Sequence, residues 1–140
     1  WIPFIPKRAY LSGPMTGIAQ DNRPAFRSAA RLLRGVGYEV VSPDELDTTA
    51  PATGHTWAEF LTRDIPFVVS CGLAVVLPGW EKSKGARLEV AIIAALGRPV
   101  YALEGDPNAH VDTMFGPTPD VRLNQIPPEK LPRVTIPGEQ

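Results

Sequence analysis

The chain has 140 residues, a net charge of −1 and a single cysteine, Cys71. Its length suits one domain with its own core. Its positive and negative charges are mixed, with no basic patch of the kind that binds duplex nucleic acid, so no such partner is expected. A lone cysteine excludes an internal disulfide, and no apolar stretch or leader indicates a membrane or secretion, so we expect a cytoplasmic protein with a core thiol.

The chain opens with prolines and large apolar side chains over residues 1–7, which predicts an extended arm packing on the domain or on a second subunit. Residues 8–12 are predicted to form a strand, and residues 13–17, Gly-Pro-Met-Thr-Gly, a turn-rich loop. Its glycines allow backbone N–H groups to approach a small anion such as phosphate, although many such loops are only turns. Tyr10 and Ser12 share a strand face, so the Tyr10 hydroxyl points either to a pocket or into the core.

A helix and a second strand follow. The helix is predicted to begin after Asn22, a good N-cap, with Pro24 in its first turn, and to end at Gly35 or Gly37. Residues 38–41 form the strand. A helix between two strands implies a right-handed crossover and parallel pairing.

Residues 43–55 are polar and predict a long loop, either a substrate lid or a disordered surface excursion. The acids Asp44 and Asp47 and the imidazole of His55 have no metal-ligand spacing, so no metal site is expected.

A second helix is predicted over residues 56–70, with a kink or a restart at Pro66. Asp64 lies just before that break, where a kink can aim a side chain into a cleft. The alternative is a solvated Asp64 that pairs with Arg63 or another neighbour.

The stretch from Leu77 to Gly97 carries the strongest functional signal. It follows an apolar strand at residues 73–77, crosses a polar turn and enters a helix near Lys84–Gly85. No polar side chain occurs from Val90 to Gly97, so this helix is expected to be buried on most of its surface.

Glu89 lies about one turn inside that helix. A carboxylate there is costly to bury without compensation, and the helix N-terminus can stabilise its ionised form. An ionised, partly dehydrated carboxylate is what a nucleophilic or basic catalyst requires. The alternative is a first-turn acid that caps its own helix or pairs with Arg87 or Lys84.

A strand at residues 99–103 completes a β-α-β-α-β-α-β order. This order predicts an α/β fold, a doubly wound (flavodoxin-like or Rossmann-like) parallel sheet of about four to five strands in a single domain. Residues 110–115 are predicted to form one helical turn or a dimer contact. The domain is placed at residues 8–115, and residues 116–140 form a proline-rich extended or disordered tail.

Four motifs together resemble one known family. They are Tyr10–Gly17 (YLSGPMTG), Asp64, Leu77–Trp80 (LPGW) and Ser83–Glu89 (S-x-GA-x-x-E). Over residues 8–103 the chain resembles the nucleoside 2-deoxyribosyltransferase superfamily, and most of all its small phage or prophage branch. The resemblance implies an enzyme without a cofactor that forms a homodimer or a larger homo-oligomer.

The resemblance also implies roles for individual residues. Glu89 matches a nucleophile that attacks the anomeric carbon of a (deoxy)ribose, Asp64 an acid that protonates or orients the departing base, and Tyr10 a tyrosine near the nucleophile. Trp80 either stacks on the base or is a rim or core residue. The residues expected to bind substrate are Ser12, Gly13, Met15, Thr16, Gly17, Trp80, Ser83 and Gly85.

Ser83 helps to choose a branch. Deoxyribosyltransferases carry an aspartate there that binds the 5′-hydroxyl, whereas nucleoside 5′-monophosphate N-glycosidases carry serine. A hydroxyl can donate to a 5′-phosphate that a carboxylate would repel. The expected function is therefore N-glycosidic cleavage of a (deoxy)nucleoside 5′-monophosphate with release of free base. The alternatives are a deoxyribosyltransferase that exchanges bases and a non-catalytic nucleotide-binding module.

Two positions depart from the pattern. The nucleotide hydrolases have an arginine in the first loop, where this chain has Met15-Thr16. Either Arg8, Lys84 or Arg87 supplies the missing charge, or the substrate is not phosphorylated. Gly72 follows Cys71 where the branch carries Cys-Asp.

Overall fold

The computed structural model describes residues 2–134, apart from the side chains of residues 107 and 108. The strands in this range are β1 Ile5–Ser12, β2 Glu39–Val41, β3 Cys71–Val76, β4 Val100–Thr113 and β5 Gly116–Gln125. The α-helices in it are α1 Arg23–Gly35, α2 Pro43–Thr49, α3 Trp57–Ser70 and α4 Lys84–Ala95. None of them is long and apolar enough to cross a membrane.

The strands form one mixed sheet in the order β2-β1-β3-β4-β5. The predicted parallel pairing is confirmed for β2, β1, β3 and β4. The strand β5 lies in the segment that was predicted to be a tail, and it pairs antiparallel with β4. These two strands are joined only by Met114 and Phe115, and a connection that short can join antiparallel but not parallel neighbours. The α/β architecture is thus confirmed, with a mixed rather than a parallel sheet.

Helices cover both faces of the sheet, and β1 contributes to both cores. Ala9 and Leu11 pack in the core with α1. Tyr10 faces the opposite side, where the core contains residues of α3 and α4. Because side chains alternate along a strand, Tyr10 and Ser12 both point toward α4.

Two local predictions before β3 need correction. Residues 43–49 form α2 and not a loop, because Pro43 suits the first helical position and Asp44 and Glu45 favour the positive end of the helix. Of the kink or restart expected at Pro66, the restart is absent from the described α3, which runs continuously through that residue, and the kink stays a prediction. One proline removes a single intrahelical hydrogen bond, and the buried Val68 packs the second half of α3 into the core.

The described segments near both ends contain more strand than predicted. Residues 5–7 of the expected arm belong to β1, and residues 110–115 lie in β4 and at the hairpin tip, not in a helical turn. Residues 116–125 are extended as predicted, but they pair with β4 and therefore belong to the sheet. Leu131 is buried in the core beside α4. Trp1 and residues 135–140 of the predicted tail lie outside the described residues.

Cys71 is the buried core thiol that its apolar neighbourhood predicts. Burial raises the pKa of this thiol to about 11, so it remains protonated and is a poor nucleophile at neutral pH.

Candidate active site

A cavity of about 330 Å³ opens where β1 leaves the sheet. Its walls come from the loop after β1, from α2 and α3, and from the first turns of α4. The carboxyl edge of parallel strands is where open α/β sheets bind ligands, and this volume suits a small molecule. The predicted site residues that line it are Gly13, Met15, Thr16, Asp64, Ser83, Gly85 and Glu89.

Glu89 is only 6% exposed and is held by two hydroxyl groups from β1. The Tyr10 hydroxyl donates to Oε2 at 2.5 Å, and the Ser12 hydroxyl donates to Oε1 at 2.9 Å. Within the described chain Glu89 has no ion pair with Arg87 or Lys84, so the simple capping alternative fails. Both hydrogen bonds can form because Tyr10 and Ser12 lie two residues apart on β1 and so point to the same face of the sheet.

The sequence predicts an ionised Glu89 carboxylate, whereas its buried position in the structure favours the protonated carboxyl. Burial raises its pKa from 4.5 to about 8, and the negative charge of Asp64 adds to this effect. The hydrogen bonds from Tyr10 and Ser12 oppose the shift without reversing it. The buried Glu89 carboxyl therefore favours its protonated form. Burial also raises the pKa of Tyr10 well above its usual value, so its hydroxyl remains a neutral donor.

Asp64 is 7% exposed and lines the same cavity, so it is not a solvated helix residue. Its expected partner is correct, since Arg63 Nε donates to Asp64 Oδ1 at 2.7 Å. Burial raises the pKa of Asp64, whereas Arg63 and a hydrogen bond from Glu89 lower it. The two carboxyl groups therefore influence each other's protonation, so they titrate as a coupled pair.

The loop after β1 forms the second wall of the cavity. A Cβ on Gly13 would lie 2.9 Å from Leu77 Cβ, so only glycine lets the loop pass the end of β3. Asn22 Nδ2 donates to the Pro14 carbonyl at 2.9 Å and ties the loop to the start of α1. Residues 20–22 all have positive φ, from 54° to 60°, and this strained left-handed turn brings Asp21 to the cavity.

Two predicted residues lie elsewhere. Trp80 is 6% exposed and packs in the core beside α4, so it is not placed to stack on a ligand. Gly17 does not line the cavity. Tyr10 and Ser12 also lie behind the wall and act on the cavity through Glu89.

Trp57 and Phe60 supply the aromatic wall that Trp80 was expected to provide. Trp57 is 46% exposed, although its helical spacing resembles that of a core residue. The sequence did contain the signal, because Trp57, Phe60 and Asp64 are three and four residues apart and so share one helical face.

The positive charge near the cavity also has a different source from those predicted. Arg8 forms an ion pair with Glu39 of β2 at 2.9 Å, and neither Arg8 nor Arg87 lines the cavity. Lys84 Nζ lies 3.9 Å from the centroid of the Trp57 ring, which places a cation at the rim. Arg63, which was not predicted as a site residue, lines the cavity itself.

Among the residues that the structure describes, no three His, Cys, Asp or Glu side chains are grouped to hold a metal ion. A second cavity, of about 500 Å³, lies between α4 and the segment from Pro128 to Val134. Its wall contains the methyl groups of Ala91, Ala94 and Ala95 and none of the buried acids, so the candidate site is the first cavity.

A family model matches residues 7–102, which is more than half of the chain. The chain belongs to DUF4406, a domain of unknown function. The matched DUF4406 region contains Tyr10, Ser12, Asp64 and Glu89 and ends before the β4–β5 hairpin turns. No curated protein matches the chain. The family description states no activity, so the resemblance to nucleoside 2-deoxyribosyltransferases stays a prediction for this DUF4406 protein.

The raised pKa of Glu89 predicts how stability depends on pH. The folded state keeps the Glu89 proton up to about pH 8, whereas the unfolded chain loses it near 4.5. Stability from this group is therefore complete below pH 4.5 and is lost as pH rises towards 8. Relative to Glu89→Gln, the free energy of unfolding of the wild type should fall by about 1.4 kcal/mol per pH unit within that window.

Denaturant unfolding of both proteins at a series of pH values measures this difference. Glutamine has nearly the size of glutamate and does not titrate, so effects of groups that do not interact with Glu89 cancel in the comparison. A difference that is independent of pH would show that Glu89 is ionised in the folded protein.

Proposed function

We propose that the protein cleaves the N-glycosidic bond of a (deoxy)nucleoside 5′-monophosphate and releases the free base. The observation that carries the proposal is the buried Glu89 carboxyl, held by the hydroxyl groups of Tyr10 and Ser12 beside a second buried carboxyl, Asp64. Two carboxyl groups with divided roles are the usual equipment for cleaving a glycosidic bond with a covalent intermediate.

In the proposed reaction one proton serves both carboxyl groups. The proton passes from Glu89 to Asp64, which leaves Glu89 as the nucleophile and Asp64 as the acid. A Glu89 oxygen forms a bond to C1′ while the C1′–N bond breaks, and the departing base takes its electron pair and the proton from Asp64. Water then cleaves the glycosyl ester and gives a proton back to Asp64.

The fixed hydroxyl groups explain how Glu89 is aimed. Tyr10 and Ser12 each hold one carboxylate oxygen, so the group cannot rotate between binding and attack. A neutral hydroxyl donor also stabilises the carboxylate that forms when the proton moves to Asp64. The exposed face of Trp57 gives a flat apolar surface against which a base can stack.

The start of α4 is the part of the cavity that suits a 5′-phosphate. Ser83 lines the cavity and its side-chain oxygen accepts the N–H of Ala86 at 3.2 Å, so its own hydroxyl proton is available to a ligand. The positive end of the helix and the nearby Lys84 favour an anion at the same place.

A free nucleoside is the second candidate substrate, and the charge of the cavity favours it. Four carboxyl groups line the cavity: those of Asp21, Asp47, Asp64 and Glu89. Arg63 is the one cation in the lining, and it is already bonded to two of these acids. Such a cavity repels a dianion more than a neutral sugar. Base exchange on a nucleoside would then be the transferase alternative.

Replacing Ser83 with aspartate separates the two candidates. Aspartate is also a good N-cap, so Ser83→Asp should keep the start of α4 while it places a negative charge beside the ligand. If the substrate is a monophosphate, kcat/KM for it should fall by about 100-fold or more, and the value for the free nucleoside should change little. Free base is followed by chromatography across the common nucleosides and their monophosphates.

The matched control is Ser83→Asn, which keeps the cap and adds no charge. The monophosphate is refuted as the substrate if the wild type prefers nucleosides and Ser83→Asp does not change the ratio of kcat/KM between monophosphates and nucleosides. Adding a second base and finding a new nucleoside would identify a transferase. Tight nucleotide binding without any product would identify a binding module.

A further inference from the structure

The guanidinium of Arg63 joins two helices at the wall of the cavity. Its Nε donates to Asp64 Oδ1 and its Nη1 donates to Asp47 Oδ1, each at 2.7 Å. The Arg63 side chain is only 7% exposed. Hydrogen bonds between charged groups at this distance and burial are strong and directional.

The arrangement fixes the position of the guanidinium and not only its charge. Arg63 Cζ lies 5.4 Å from the centroid of the Phe60 ring, which supports one face of the group. Asp47 is brought to it by α2, the short helix whose Pro43 and Asp47 also line the cavity. One end of the planar Arg63 guanidinium therefore binds Asp64 on α3, and the other end binds Asp47 on α2.

We propose that Asp47 and Arg63 are positioning residues, which hold the Asp64 carboxyl in place and set its protonation state so that it can share one proton with Glu89. This inference rests on the proposed function for the role of that proton. It concerns residues outside the motifs that suggested the function, and neither of them attacks or protonates the substrate.

The charges that face Asp64 act in opposite directions. Arg63 lowers the pKa of Asp64, and the charge of Asp47 raises it. Across the site, Glu89 on α4 lowers the pKa of Asp64 through a hydrogen bond, and the buried Tyr10 on β1 remains neutral. Arg63 also lowers the pKa of Glu89.

Both charges are needed for a single proton to pass between Glu89 and Asp64. Without Arg63, burial would let Asp64 and Glu89 both hold protons, and no nucleophile would be present. Without Asp47, the full charge of Arg63 would act on Asp64, so the proton would remain on Glu89 and Asp64 would have none to give to the base. The balance requires a cation shared between two carboxylates, as the structure has it.

The test follows the Asp64 carboxyl directly in Asp47→Asn and Arg63→Gln, both in the full chain. Carbon-13 NMR of labelled aspartate carboxyl groups gives the apparent pKa, and Asp64→Asn assigns the signal. Arg63→Gln should raise this pKa by about one unit or more, and Asp47→Asn should lower it by about half a unit or more. For both variants kcat should fall by about 10- to 100-fold, with KM changed less than about threefold.

Arg63→Lys separates charge from geometry. Lysine keeps the positive charge but cannot span two carboxylates with a planar fork. The pKa of Asp64 should therefore stay near its wild-type value while kcat remains low. A lysine variant with wild-type kcat would refute the positioning role.

Two further outcomes decide the proposal. Shifts of the Asp64 pKa in the same direction in both variants, or no shift in either, would overturn it and leave Arg63 as a structural contact. The titration needs no turnover, so it is independent of the proposed reaction. Opposite shifts in a protein that cleaves no nucleotide would support the electrostatic role and refute the proposed function instead.

Discussion

Glu89→Gln should abolish release of free base, with kcat/KM falling by about 10⁴-fold or more. A neutral amide cannot form the bond to C1′, and it cannot pass a proton to Asp64. The side chain keeps its size, and its remaining oxygen can still accept one hydrogen bond from Tyr10 or Ser12. The loss should therefore appear in the chemical step, and chromatography of the free base from monophosphates and nucleosides measures it.

Glu81→Gln is the matched control for this experiment. Glu81→Gln makes the same side-chain replacement in the same strand–loop–helix segment, but the Glu81 side chain is exposed. Its activity should remain within about twofold of the wild type, as for most surface substitutions. If Glu89→Gln keeps its rate within tenfold while Glu81→Gln behaves as expected, Glu89 is not the nucleophile and the proposed mechanism is wrong.

Elements with a strong apolar period could be predicted from the sequence, and the others could not. The helix α1 has a clear apolar face and a proline at its start, and its predicted bounds are close to the observed Arg23–Gly35. The hairpin strand β5 alternates between exposed and half-buried residues and contains two prolines, so no apolar pattern marks it. Its strand character comes from pairing with β4, which only the folded structure shows.

The candidate site divides in the same way. Glu89 was visible because it interrupts an otherwise apolar helix, and Tyr10 because it alternates with Ser12 on one strand. Asp47 and Arg63 are 16 residues apart along the chain and meet only when α2 packs against α3. Because residues 43–55 were predicted to form a loop, no pattern in them indicated the contact between Asp47 and Arg63.

The protonation of Glu89 shows a further limit of sequence-based prediction. The position near a helix start favours an ionised carboxylate, and the sequence contains that position. Burial opposes ionisation, and its extent depends on the packing of β1, α3 and α4 around the group. In the structure burial is the largest influence, and it raises the pKa to about 8.

Gly72→Ala should destabilise the protein by about 3 kcal/mol or more, or prevent folding. A Cβ at this position would lie 2.0 Å from the carbonyl oxygen of Pro6. Pro6 and Gly72 lie on the neighbouring strands β1 and β3. Neither backbone can move away from the other without breaking the pairing of Ile5 with Cys71. Denaturant unfolding measures the loss, and Gly35→Ala is the control, because a Cβ there meets nothing within 4 Å.

A chain that begins at Lys7 tests the cause of this effect. Without Pro6 the clash is absent, so Gly72→Ala should cost less than about 1 kcal/mol when both proteins lack residues 1–6. An equal cost in the full and shortened chains would show that Gly72 is required for another reason. The expected result would explain the departure at this position in physical terms: where the resembled branch carries aspartate, β1 of this protein passes too close to β3 for any side chain.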